Sequence, residues 1–255
     1  MIDADVIYEV RDNVAYIVIN RERKRNSIGG DAVALLMKYL EMVESDDEVR
    51  AVCITGSGDR AFCSGADLSG DGGGGKDMAG GYADLLKRIA GYAKPTVARV
   101  NGDCLAGGMG LMLACDIAIA AEHARFGTPE VNVGLFPMMV GALIFRSIPR
   151  RKAMEMMLLG EKLTAEEALE IGLVTRVVPA AALDEEVSGV LKILVSKSPI
   201  GMRIGKTALY AMADMPFEQA LDYLSEKLIE VASTEDAMEG IAAFLQKRDP
   251  KFRGR

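Results

Sequence analysis

Between Leu105 and Asp116 the chain reads LAGGMGLMLACD, and this stretch restricts the fold more than any other. Gly107 and Gly108 open a short apolar run, Gly110 interrupts it and Asp116 closes it. Glycines at a helix start let another molecule approach bare backbone N–H groups. Those groups are unpaired in the first turn and lie at the positive end of the helix dipole. They can hold an oxyanion without a side chain. Glycine also serves tight packing of a buried helix. The stretch alone leaves both readings open, and the rest of the chain decides.

A chain of 255 residues suggests one domain, or one domain with an appendage. Half of its residues are hydrophobic, enough for a large core. No apolar run reaches the ~20 residues of a membrane span. The start, MIDADVIYEV, lacks the basic-then-apolar pattern of a secretory signal. A net charge of −7 argues against general nucleic-acid binding but leaves room for a local basic patch toward a phosphorylated small molecule. Cys53, Cys63, Cys104 and Cys115 form no C-x-x-C pair, and His123 is the single histidine, so a zinc site is not expected. Reduced thiols and a cytoplasmic protein are the expectation. With one histidine in a polar turn and no G-x-S-x-G, a Ser-His-Asp triad is disfavoured. Acid–base work falls to carboxylates, lysine or tyrosine.

In chain order, Val6 to Val10 and Val14 to Ile19 alternate as a hairpin about Asp12-Asn13. Asn20 to Asn26 then carries four Arg or Lys residues, read either as a solvated loop or as a phosphate contact. Val33, Leu36, Leu40 and Val43 recur at helical spacing, and Arg50 to Thr55 is a buried strand. Strand, helix and strand predict a partly parallel sheet. Ala61 to Leu68 reads as a strand ending in a turn at Gly65-Ala66, a second site of accessible N–H groups.

Gly70 to Lys76 fits G-x-x-x-x-G-K, but Asp77 stands where a P-loop needs Ser or Thr, so Ser69 to Gly81 reads as a surface loop or lid. Tyr82 to Tyr92 is predicted helical and Thr96 to Val100 a strand leading into the opening stretch. Asp116 to Ala120 is a further strand. Thr128-Pro129 then stiffens the backbone before Glu130, making Glu130 a candidate catalytic carboxylate. Its bland alternative is an ion pair with an arginine such as Arg146. Thr164-x-x-Glu167 is a capping box. From 183 onward four helices follow without a strand, one with the stripe Phe217, Leu221, Leu224, Leu228 and Val231. Such helices must pack on the sheet or on another subunit. The division falls between a core, 1–195, and a helical region, 196–255.

Taken together, Asn20-Arg…Asn26, Ala61-Phe-Cys-Ser-Gly-Ala-Asp-Leu68, Asn101-Gly…Ala106-Gly-Gly…Cys115-Asp, Phe126-Gly-Thr-Pro-Glu130, Ala165 to Val178 and Phe244…Lys247-Arg…Phe252 resemble the crotonase family, the enoyl-CoA hydratase/isomerase superfamily. The resemblance implies an α/β spiral of ββα units with a C-terminal helical region that makes trimers, or hexamers as paired trimers. It implies an acyl-CoA thioester substrate, no metal and no cofactor beyond the coenzyme A of the substrate. By motif position the oxyanion donors would be the N–H groups of Ala66 and Gly107, and Glu130 would be the catalytic carboxylate. Arg23, with Lys24, would lie near the CoA phosphates. Ser64, Gly65, Asp67 and Leu68 would line the adenine and pantetheine path.

The chain departs from two-glutamate hydratases at one point: their first glutamate falls on Gly110. A single base suffices to move a double bond, so the resemblance favours isomerisation, with hydration and a non-catalytic CoA-binding scaffold as alternatives. Gly110 costs a helix ~1 kcal/mol relative to alanine. The expectation is that its missing side chain makes room for a branched or bulky acyl group.

Overall fold

A computed structural model describes residues 4–67 and 76–255. The hairpin forms as predicted, β1 (Val6–Arg11) with β2 (Val14–Ile19), and Asp12 and Asn13 both take positive φ as a two-residue turn requires. Then come α1 (Gly30–Glu44), β3 (Ala51–Gly56), β4 (Ala61–Cys63) and α2 (Lys76–Ala90). Next are β5 (Thr96–Val100), β6 (Asp103–Leu105) and α3 (Gly107–Ala114), followed by β7 (Ile117–Ala121) and β8 (Arg125–Gly127). After a 3-10 turn at Pro129–Val133 come α4 (Met138–Ser147), α5 (Arg150–Leu159), β9 (Lys162–Thr164), α6 (Ala165–Glu170) and β10 (Arg176–Val178). Four helices close the chain: α7 (Leu183–Val195), α8 (Pro199–Met212), α9 (Phe217–Ala232) and α10 (Glu235–Gln246).

The strands form two sheets, ordered β1-β2-β3-β5-β7-β10 and β4-β6-β8-β9. Three successive units each give one strand to each sheet: β3 then β4, β5 then β6, β7 then β8. Within each sheet these strands are parallel. This is the spiral of ββα units that the resemblance implies. One face of the larger sheet joins the main core, with α1 contributing Val33, Leu36, Leu40 and Val43. The other face is covered by Leu183, Val187, Val190 and Leu191 of α7. Cover on both faces explains why all six residues of β3 are buried.

The capping box at Thr164 and Glu167 is present with both reciprocal bonds. Helix α2 begins six residues before Tyr82, so the segment expected as a loop from Ser69 to Gly81 is helical from Lys76 onward. Leu68 and the rest of that loop, with most of the P-loop-like run, lie outside the described residues. The last three helices bury little. The stripe at Phe217, Leu221 and Leu228 is exposed, as are Ile229, Ile241, Phe244 and Leu245. Helix α8 is tied to the core by the Lys206–Asp116 ion pair at 2.7 Å, and Arg50 donates to the carbonyls of Val195 and Phe252. Among the described residues no helix is long and apolar enough to cross a membrane.

Candidate active site

The small sheet assembles the site. β4, β6 and β8 are parallel neighbours, with Cys63 beside Cys104 and Leu105 beside Gly127. Two or three residues beyond the paired ends of these strands stand Ala66, Gly107 and Glu130. Three separated sequence motifs are therefore delivered to one sheet edge, at the strand carboxyl ends where open α/β sheets place their ligands.

The Gly65–Ala66 turn is held by a parallel bridge to Ile28, in which Ile28 N–H donates to Gly65 O and Asp67 N–H to Ile28 O, both 2.9 Å. Gly65 has φ +96°, and a Cβ there would lie 2.7 Å from Ala106 Cβ and 3.1 Å from Gly107 N. Only glycine permits that approach, which brings the Ala66 and Gly107 turns together. Ala106 caps α3 with φ 50° and ψ −125°, a strained setting for a residue with a side chain. Its N–H donates to Gly127 O at 2.9 Å, which fixes it against β8. Gly107, the first residue of α3, has no intrahelical partner for its N–H. Among the described residues no acceptor takes the N–H of Ala66 or Gly107. The expected donor pair is thus brought together.

Glu130 lies in the 3-10 turn after Thr128, which is fully buried. Its Oε2 is buried without a hydrogen-bond partner among the described residues. Burial raises its carboxyl above the ordinary range, with a bond from its own backbone partly opposing the rise. Pairing with Arg146 does not occur, because that guanidinium binds Asp214 at 2.8 Å. Cys63 and Cys104 are also close by, but burial pushes both thiols up, Cys63 to about 12, so neither supplies a thiolate.

The basic loop divides in two. Arg21 bridges Asp67 at 2.7 Å and Asp5 at 3.2 Å, Lys24 meets Asp67 at 2.9 Å, and Arg25 pairs with Asp103. Lys24 and Asp67, both expected at the substrate, are therefore engaged in holding the loop. Arg23 is exposed and has no ion pair among the described residues. Asn26, in the left-handed region, rivets the loop to the core by donating to Ser57 O at 3.0 Å and Ala61 O at 2.6 Å. Ser64 N–H donates to Arg25 O at 3.1 Å, so Ser64 links this loop to the donor turn.

Gly110 does not open a space. A Cβ on it would overlap the hydroxyl of Tyr82, and the Leu86 methyls lie 3.3 Å away. Tyr82 is buried, and its hydroxyl donates to Gly107 O. The expected room for a branched acyl group at Gly110 is corrected accordingly: a tyrosine from α2 fills it. No sequence spacing pointed to Tyr82. The one available signal was a glycine where a carboxylate was expected, which requires something else to occupy the place.

Comparison with known proteins agrees with the fold. The family model for enoyl-CoA hydratase/isomerase matches residues 9–255. The chain belongs to the enoyl-CoA hydratase/isomerase family. It is 35% identical over 253 residues to the (E)-benzylidenesuccinyl-CoA hydratase of Thauera aromatica, covering 98% of this chain and 99% of that protein. It is 34% identical over 257 residues to the 2,3-dehydroadipyl-CoA hydratase of Escherichia coli K12, covering 99% and 100%. The crystal structure of an enoyl-CoA hydratase from Bacillus anthracis superposes with a TM-score of 0.94 at 31% identity, over 98% of this chain and all of that one. This crotonase-family enzyme therefore acts on an acyl-CoA thioester.

Proposed function

We propose that the enzyme reversibly adds water to a 2-enoyl-CoA thioester, with the Ala66 and Gly107 N–H groups holding the thioester oxygen and Glu130 carrying the proton. The observation that supports this most is the delivery of those three residues to one edge of the small sheet. Two N–H donors stabilise the enolate oxygen as its charge develops, each donor worth ~3 kcal/mol. Glu130 takes a proton from water and returns it to the α-carbon. The names of the relatives support hydration over the isomerisation that a lone glutamate favours. Isomerisation remains the second reading, because a single base suffices to move a double bond and the carboxylate of Asp67, beyond the end of β4, is taken up by Arg21 and Lys24. Incubation with crotonyl-CoA and with 3-enoyl-CoA separates the two. Formation of 3-hydroxybutyryl-CoA supports hydration, and double-bond migration without water uptake supports isomerisation.

The exposure of Arg23 supports a role at the CoA phosphates, whereas Lys24 acts there through the loop it braces. Arg23→Ala is expected to raise KM for CoA thioesters about tenfold with little change in kcat, a loss of binding shared by ground and transition states. The same substitution leaves turnover of a thioester of N-acetylcysteamine, which lacks the nucleotide, unchanged.

The exposed apolar side chains of α9 and α10 support assembly as a trimer or a dimer of trimers. Light scattering is expected to give three or six protomers, and Phe244→Glu to shift that mass downward. A wild-type monomer at micromolar concentration would refute the assembly.

A further inference from the structure

We propose that Tyr82 is the second group that handles the reacting water, standing in for the carboxylate that Gly110 lacks; the assignment rests on the hydration reading. Tyr82 reaches from α2 to the first turn of α3. A Cβ on Gly107 would lie 3.4 Å from its hydroxyl oxygen, and a Cβ on Gly110 would overlap that oxygen. The phenol oxygen therefore sits where a side chain at position 110 would begin.

A phenol carries one proton and two lone pairs. The Tyr82 proton is donated to Gly107 O, and no described residue donates to its oxygen. The free lone pair accepts from a donor such as water. Burial raises the phenol well above its ordinary range, with the nearby Cys63, Cys104 and Glu130 adding to the rise. Tyr82 stays protonated throughout the working pH range and is not a base. That leaves proton removal to Glu130, whose Oε2 is buried without a hydrogen-bond partner among the described residues.

In the resulting step water donates one O–H to Tyr82 and the other to Glu130. The water oxygen bonds the β-carbon, and the π electrons pass to the α-carbon and the thioester oxygen held by Ala66 and Gly107. Glu130 then delivers the proton it received to the α-carbon. The hydrogen facing Tyr82 remains on the product hydroxyl, so water adds whole and every side chain is restored.

Tyr82→Phe tests this, with two reactions measured on wild type and variant. Hydration of crotonyl-CoA needs the water. Exchange of the α-protons of butyryl-CoA in D2O needs the oxyanion donors and Glu130 but no water addition. The expected result is a kcat for hydration lower by about 10²-fold, with KM little changed. Exchange, which also reports that the variant is folded, is expected to persist at near wild-type rate. Equal losses in both reactions would mean that Tyr82 only steadies the Gly107 turn, overturning the proposal. Undiminished hydration would overturn it as well. A wild type that exchanges α-protons but adds no water overturns the hydration reading itself, an outcome distinct from either.

Discussion

Glu130→Gln is expected to lower kcat for hydration by about 10²–10⁴-fold while leaving KM within a small factor. The amide keeps the shape of the carboxylate but cannot accept a proton, so the loss falls on the transition state alone. The elevated carboxyl adds a pH signature. Glu130 must be ionised to act, and it is protonated as pH falls through its raised pKa. The acid limb of kcat/KM is therefore expected above the ordinary glutamate value of about 4.3, with activity lost below it and retained above it. Glu130→Gln should abolish that limb. An unshifted limb in the variant would assign it to another group.

The second large effect is expected at Gly108. A Cβ there would overlap the carbonyl oxygen of Cys63 and lie 2.9 Å from Cys63 Cβ. The obstacle is backbone at the end of β4, which cannot rotate away. Gly108→Ala must push α3 from β4, separating the Gly107 N–H from the Ala66 N–H. Overpacking of this kind costs about 1–3 kcal/mol of stability. Misplacing one oxyanion donor costs about 10²–10³-fold in kcat. Gly80→Ala is the control: it is an exposed position of α2 where an added Cβ meets nothing within 4 Å among the described residues. Helix propensity there favours alanine by ~1 kcal/mol, with activity unchanged. Thermal melts and kcat/KM on both variants check the contrast.

These glycines show where sequence reading worked and where it stopped. The close turns at Ala66 and Gly107, the proposed donors, were legible because an oxyanion site built from backbone needs small residues at a strand end and a helix start. Glu130 was legible because Thr128-Pro129 fixes the chain before it. The hairpin, the capping box and α7 were legible from local patterns alone, since their partners are near in sequence or supplied by periodicity. Gly110 was identified as a missing side chain, but what fills its place comes from α2, 28 residues earlier, through packing that no spacing encodes. The ion pairs of Asp67 were hidden for a similar reason. Its partners Arg21 and Lys24 are more than forty residues away, a pairing that no local pattern encodes. The start of α2 was also hidden, because Gly80 and Gly81 resemble a loop although no described residue crowds them within the helix.

The most direct test of the account is deuterium exchange at the acyl α-carbon. Wild type and Glu130→Gln are incubated with butyryl-CoA in D2O and the acyl mass is followed. The expected result is incorporation of deuterium by the wild type and none above background by the variant, with thioester binding retained in both. A wild type that binds the thioester without exchange, or a variant that exchanges as fast as the wild type, would contradict enolate formation at the Ala66–Gly107 donors with Glu130 as base.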